Sequence, residues 1–160
     1  MSALAGDNDE HLRALGSLVV QAGTLEHLVF DFVIMRSGIS RLLGNVLMGR
    51  DNFDAMLSRL GRLIAAADDV EQVAKNQYKG WSNQAAAAMK RRNELIHSYW
   101  TVPAINDEAL ERFYFSRDAV DLPPKEMTAI REIEELASAF LALSNALFLM
   151  AEKLGVGTIT

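Results

Sequence analysis

A chain of 160 residues with 50% hydrophobic and 23% charged side chains is long enough to bury about 70% of its unfolded surface in one core, and its composition excludes bulk disorder. With no cysteine, a disulfide scaffold, a thiolate zinc site, an iron–sulfur cluster and a cysteine nucleophile are all excluded. The net charge of −5 excludes a wholly basic nucleic-acid coat but leaves room for a local basic site, because recognition depends on where charge sits.

The opening MSALAGDNDEH has no basic region followed by a long apolar run, so no secretory signal is expected. No stretch reaches about 18 uninterrupted apolar residues. Ala137–Ala151 comes nearest and is broken by Ser138, Ser144 and Asn145. The expectation is a cytoplasmic protein with no membrane partner.

Asp7 with Glu10 has the form of a capping box and predicts a helix start. Leu12, Leu15, Val19, Ala22, Leu25, Val29, Phe32 and Val33 follow at helical spacing, and Gly38 is a natural left-handed stop. A short helix over Arg41–Met48 ends at Gly49, and Asp51 is placed to cap a third carrying Met56, Leu60, Leu63 and Ile64. Asp68 with Glu71 repeats the capping pattern and opens the longest predicted helix, roughly Asp69 to Tyr99.

The three prolines, Pro103, Pro123 and Pro124, fall in one region. Within Thr101–Leu122 the run Arg112-Phe113-Tyr114-Phe115-Ser116 has strand-like composition and suits a small hairpin. Pro124 is then expected at the first turn of a last helix through Ile130, Ile133, Ala137, Phe140, Leu141, Leu147 and Leu154 to Gly155. No repeat or linker divides the chain. The prediction is one all-α domain over residues 1–160: an antiparallel bundle of four to five helices, with an irregular or β-hairpin insertion before the last.

The most informative stretch is Lys90-Arg91-Arg92-Asn93-Glu94-Leu95-Ile96-His97-Ser98-Tyr99-Trp100. On a helical wheel with Arg92 at the origin, Asn93 falls at about 100° and His97 at about 140°. Met89, Ile96 and Trp100 lie between Arg92 and His97 as an apolar strip, with Lys90, Arg91, Glu94 and Ser98 opposite. Arg92 also continues the stripe Ala74, Tyr78, Trp81, Ala85, Ala88. An arginine on such a stripe is costly unless it is paired or meets an anion.

Arg92-Asn93-Glu94-Leu95-Ile96-His97 resembles the R-x(4–6)-H motif of the HEPN superfamily (higher eukaryotes and prokaryotes nucleotide-binding), including the polar residue after the arginine. His97-Ser98-Tyr99 is similar to the H-x-Y extension of HEPN toxins paired with minimal nucleotidyltransferase antitoxins. The resemblance covers the motif closely and the remainder as architecture. It implies a metal-independent endoribonuclease in a toxin–antitoxin or defence setting, a homodimer acting on RNA, with Tyr99 a site of neutralising nucleotidylation.

The chemistry suits the residue types. RNA cleavage without metal needs a base for the 2′-hydroxyl proton, a cation for charge on the phosphorane and an acid for the leaving 5′-oxygen. His97 serves as base or acid near neutral pH, Arg92 clamps phosphate with a permanently charged fork, and Asn93 helps by orienting the phosphate or the histidine. Lys90 and Arg91 are candidate contacts to the RNA backbone. One histidine does not readily do both proton transfers in one step, and a two-fold dimer supplies a second. No cofactor or metal is expected.

Two other readings stand beside this one. In a non-catalytic helical scaffold, Arg92 is a structural arginine paired with a carboxylate such as Asp31 or Asp54, and His97 complements a helix C-terminus. A di-metal bundle draws on Glu94-x-x-His97, but needs a second such motif that the chain lacks. His11 and His27 read as structural or solvated.

Overall fold

The computed structural model describes residues 6–101, 109–113 and 125–157. The elements are α1 (Gly6–Ser37), α2 (Arg41–Met48), α3 (Phe53–Ala65), α4 (Gln72–Ile96), β1 (Tyr99–Thr101), β2 (Ala109–Phe113), β3 (Lys125–Ala129), α5 (Ile130–Met150) and a closing 3₁₀ turn, Glu152–Leu154. The architecture is the expected helical bundle with a β insertion before the last helix. The chain forms two compact units, one from Met1–Ala22 with Ala88–Phe140 and one from Gly23–Ala87 with Leu141–Thr160.

The second unit holds the end of α1, all of α2 and α3, the start of α4 and the end of α5. Gly38 stops α1 with φ of 68°, a left-handed conformation that suits glycine. Ser40 caps α2 by accepting from the Leu43 amide at 3.2 Å. The cap of α3 is Asn52 and not Asp51: the Asn52 side-chain oxygen accepts from Ala55 N at 2.8 Å, while Asp51 pairs with Arg59 at 2.7 Å. Leu25, Val29, Phe32, Leu60, Ile64 and Leu147 are buried. Tyr78 and Trp81 are buried too, and each uses its polar tip: Tyr78 Oη donates to Leu57 O and Trp81 Nε1 to Leu143 O, both at 2.9 Å.

Two boundaries in α4 differ from expectation. The helix starts at Gln72, and Asp69, expected near its start, ion-pairs with Arg36. It stops at Ile96, where the chain turns into β1. The carbonyl of Leu95, one of the last-turn acceptors left open by the helix, takes hydrogen bonds from Ser98 N at 3.4 Å and from Trp100 Nε1 at 3.1 Å. Tryptophan thus closes the helix that the periodicity extended to Tyr99. At 25 residues α4 is shorter than the 32-residue α1.

In the first unit, the three strands pair antiparallel in the order β1-β2-β3, with Tyr99 opposite Phe113 and Arg112 opposite Glu126. Arg112 and Phe113 of the expected hairpin lie on β2; Tyr114, Phe115 and Ser116 lie outside the described residues. β3 occupies positions assigned from sequence to the start of the last helix, which begins instead at Ile130. Proline favours a helix's first turn but equally a strand's first residue, so the Pro124 signal alone did not choose.

The buried stripe at the start of α1 is His11, Ala14, Leu18 and Ala22. Leu12 and Val19, expected in the core, are 59% and 41% exposed. By length and composition α1 (over Asp9–Ser37) and α5 are each apolar enough to cross a bilayer. Isolated polar residues break an apolar run without making a helix polar, so length and composition single out helices that a search for uninterrupted runs passes over. Both helices bury one face in the protein, through Leu18, Leu25 and Phe32 of α1 and Ile133, Phe140 and Leu147 of α5.

Candidate functional site

The motif sits where α4 ends. Arg92 and Asn93 are in its last two turns, and His97 is the first residue beyond it, its amide still bonded to Asn93 O at 3.0 Å. His97, Asn93 and Lys90 are exposed, and Arg92 is half-buried. Arg92 Nη1 donates to Asn93 Oδ1 at 2.9 Å, while Arg92 Nε is buried without a hydrogen-bond partner among the described residues.

No carboxylate pairs with Arg92 among the described residues. The two candidates named from sequence do not serve it: Asp31 is bonded to Arg41 and lies 3.6 Å from His27 Nε2, and Asp54 is in the first turn of α3. Arg92 therefore presents a positive fork whose inner N–H has lost water and gained no acceptor. That arrangement is costly at rest and suits an anion with oxygens to offer.

Arg91, the other candidate contact to the RNA backbone, behaves oppositely and is ion-paired within the protein. Its Nε donates to Glu132 Oε1 at 3.1 Å and its Nη1 to Glu94 Oε2 at 3.2 Å. Burial works against the Arg91 charge, but the hydrogen bonds to Glu132 and Glu94 outweigh it and raise the pKa above the ordinary arginine value. Arg91 thus ties α4 to α5 as a structural cation. The same pair occupies Glu94, the first residue of the E-x-x-H pattern, and among the described residues no three His, Asp or Glu side chains converge as a metal site would need.

Compared with protein-family models, curated proteins and solved structures, the chain matches none. The residues alone carry the functional argument.

In the apolar strip between Arg92 and His97, Met89 is 3% exposed, Ile96 and Trp100 are half-buried, and the Trp100 ring meets His11 edge-on with centroids 5.8 Å apart. His11, read from sequence as structural or solvated in a polar first turn, is 3% exposed. The available signal was its spacing from Ala14, Leu18 and Ala22, which places it on the stripe that is buried. Tyr99 lies on β1 opposite Phe113.

Proposed function

We propose that the chain is a metal-independent endoribonuclease of HEPN type, a toxin or defence protein that works as a homodimer in the cytoplasm. The observation that carries this is Arg92, a half-buried guanidinium with an unsatisfied inner N–H and no carboxylate partner among the described residues, in the last turns of the helix that an exposed His97 directly follows. In the reaction, His97 takes the 2′-hydroxyl proton of RNA and the freed oxygen attacks the adjacent phosphorus. The bond from phosphorus to the 5′-oxygen breaks, and that oxygen receives a proton from His97 of a second copy. Arg92 holds the charge on the phosphorane, Asn93 orients the Arg92 fork through its side-chain oxygen, and Lys90 attracts the backbone. A nucleotidyltransferase antitoxin modifying Tyr99 is the partner that the motif's resemblance suggests.

A non-catalytic scaffold reading draws on α2, where Leu42, Leu43, Val46 and Leu47 are 44–76% exposed, a concentration of aliphatic surface typical of binding faces. It gives no account of Arg92. The deciding experiment is RNA digestion by the purified chain in excess chelator. Products with 2′,3′-cyclic phosphate and 5′-hydroxyl ends, reduced about 10²–10⁴-fold in His97→Ala, are expected. Intact RNA, or cleavage that stops on chelation, overturns the proposal.

A further inference from the structure

Three arginines line one open depression far from the motif in sequence. Arg36, in the last turn of α1, and Arg59 and Arg62, on one face of α3, line a space of about 520 Å³ together with Leu63, Ala66 and Ala67. None of these lining residues is acidic. Arg36 is held by Asp69, with Nη1 to Oδ2 at 2.9 Å, and also donates to Gly155 O at 3.2 Å. The left-handed Gly155 permits this approach, since a Cβ there would stand 2.5 Å from Arg36 Nη1. Arg59 gives one terminal nitrogen to Asp51 at 2.7 Å, and its Nε is buried without a hydrogen-bond partner among the described residues. Arg62 is exposed and makes no ion pair among the described residues. Two carboxylates thus answer three permanent cations, in a chain whose net charge is −5.

Arg36 and Arg62 each complement the carbonyl end of a helix. That accounts for cations at those ends, but not for Arg59 joining them around a shared depression. An oxyanion in this depression would offset the mutual repulsion of the three guanidiniums. Arginine forks match phosphate oxygens, and three forks offer more donors than the two oxygens of a carboxylate can accept. The volume exceeds that of a bare ion and lies in the range of small-molecule sites. Leu63, Ala66 and Ala67 give an organic group an apolar wall.

We infer that this depression binds a phosphate group carried by a nucleotide-sized ligand, either a free nucleotide or a unit of an RNA strand. The site shares no residue with the Arg92–His97 motif, so a chain that never cleaves RNA still has it.

The test is calorimetric titration of the full chain at low salt with adenosine 5′-monophosphate, with adenosine, and with a short 2′-O-methyl oligonucleotide that is not cleavable. The monophosphate is expected to bind with a Kd of roughly 1 mM or tighter, and adenosine to bind much more weakly. Arg62→Ser, an exposed position outside the core, should weaken binding about tenfold or more, the value of a charge-assisted hydrogen bond. Arg62→Lys, keeping the charge without the fork, should retain part of the affinity. Arg131→Ser, an exposed arginine paired with Glu135, should retain all of it. Weakening in Arg62→Ser for the monophosphate alone identifies a free nucleotide, and parallel weakening for the oligonucleotide identifies backbone phosphate. Both outcomes support the inference. Absence of monophosphate binding, equal binding of adenosine, or wild-type affinity in Arg62→Ser overturns it.

Discussion

Replacing Arg92 by methionine separates a group kept for chemistry from one kept for packing. Methionine preserves an unbranched stem against the surrounding side chains and removes the guanidinium. Two terms then change. The buried Nε–H, which has no acceptor among the described residues, disappears, and relief of its desolvation returns about 1–3 kcal/mol. The exposed hydrogen bond from Arg92 to Asn93 is lost, at about 0.5–1.5 kcal/mol. The balance runs from about 0.5 kcal/mol against the variant to about 2.5 kcal/mol in its favour. For a chain of this length each kcal/mol moves the melting midpoint by roughly 2–4 °C, so the variant should melt with the wild type or several degrees above it. RNA cleavage should meanwhile fall about 10²–10³-fold, as when a transition-state donor is removed. A structural Arg92 holding a buried carboxylate gives the opposite result, a loss of about 3–5 kcal/mol. Thermal unfolding followed by circular dichroism, alongside cleavage on the same preparations, decides the matter. A drop of about 6 °C or more in Arg92→Met would refute the reasoning.

Gly16 and Gly23 lie inside α1, are exposed, and have open space where a Cβ would go; each change to alanine should add about 0.5–1 kcal/mol in chemical denaturation. Tyr78→Phe should cost about 0.5–1.5 kcal/mol through the lost bond to Leu57 O, and burial, which pushes the phenol well above its ordinary pKa, should keep Tyr78 silent when the folded protein's tyrosines are titrated. The Arg36 hydrogen bond holds the Asp69 carboxyl below its ordinary 3.8, so its contribution is complete above that pH and is lost as pH falls below it. Asp69→Asn should therefore lower the denaturant midpoint at pH 7 and converge with the wild type at the acid end. If the two midpoints differ equally at pH 7 and well below 3.8, the ion pair is not what stabilises this contact.

Where local chemistry decides, the sequence was readable. α2 runs from Arg41 to Met48 as its pattern indicates, and Gly38 closes α1. Where distant residues decide, it was not. Asp69 was claimed by Arg36, 33 positions away, and Arg91 by Glu132, 41 positions away. The adjacent arginines of the motif have the same side chain and opposite situations for this reason. The wheel separated their directions, but only the arrival of α5 determined which one would be neutralised. The exchange of Leu12 and Val19 for His11 and Leu18 on the buried stripe has a different cause. Both sets repeat with nearly the same period, and the residues that win are those facing the neighbouring elements, a choice no single helix encodes.

His97 stands just outside α4, in the two-residue turn before β1. Its distance from Arg92 along the chain is therefore not dictated by helical pitch alone. A residue inserted within Glu94–Ile96 would rotate everything beyond it by about 100°. One inserted after Ile96 would enlarge the turn, leaving both the Arg92 turn and the pairing of Tyr99 with Phe113 in place. A histidine so placed tolerates variation in the length of this turn. Arg92 is anchored to the helix, while the separation of its histidine is set by a loop that can grow.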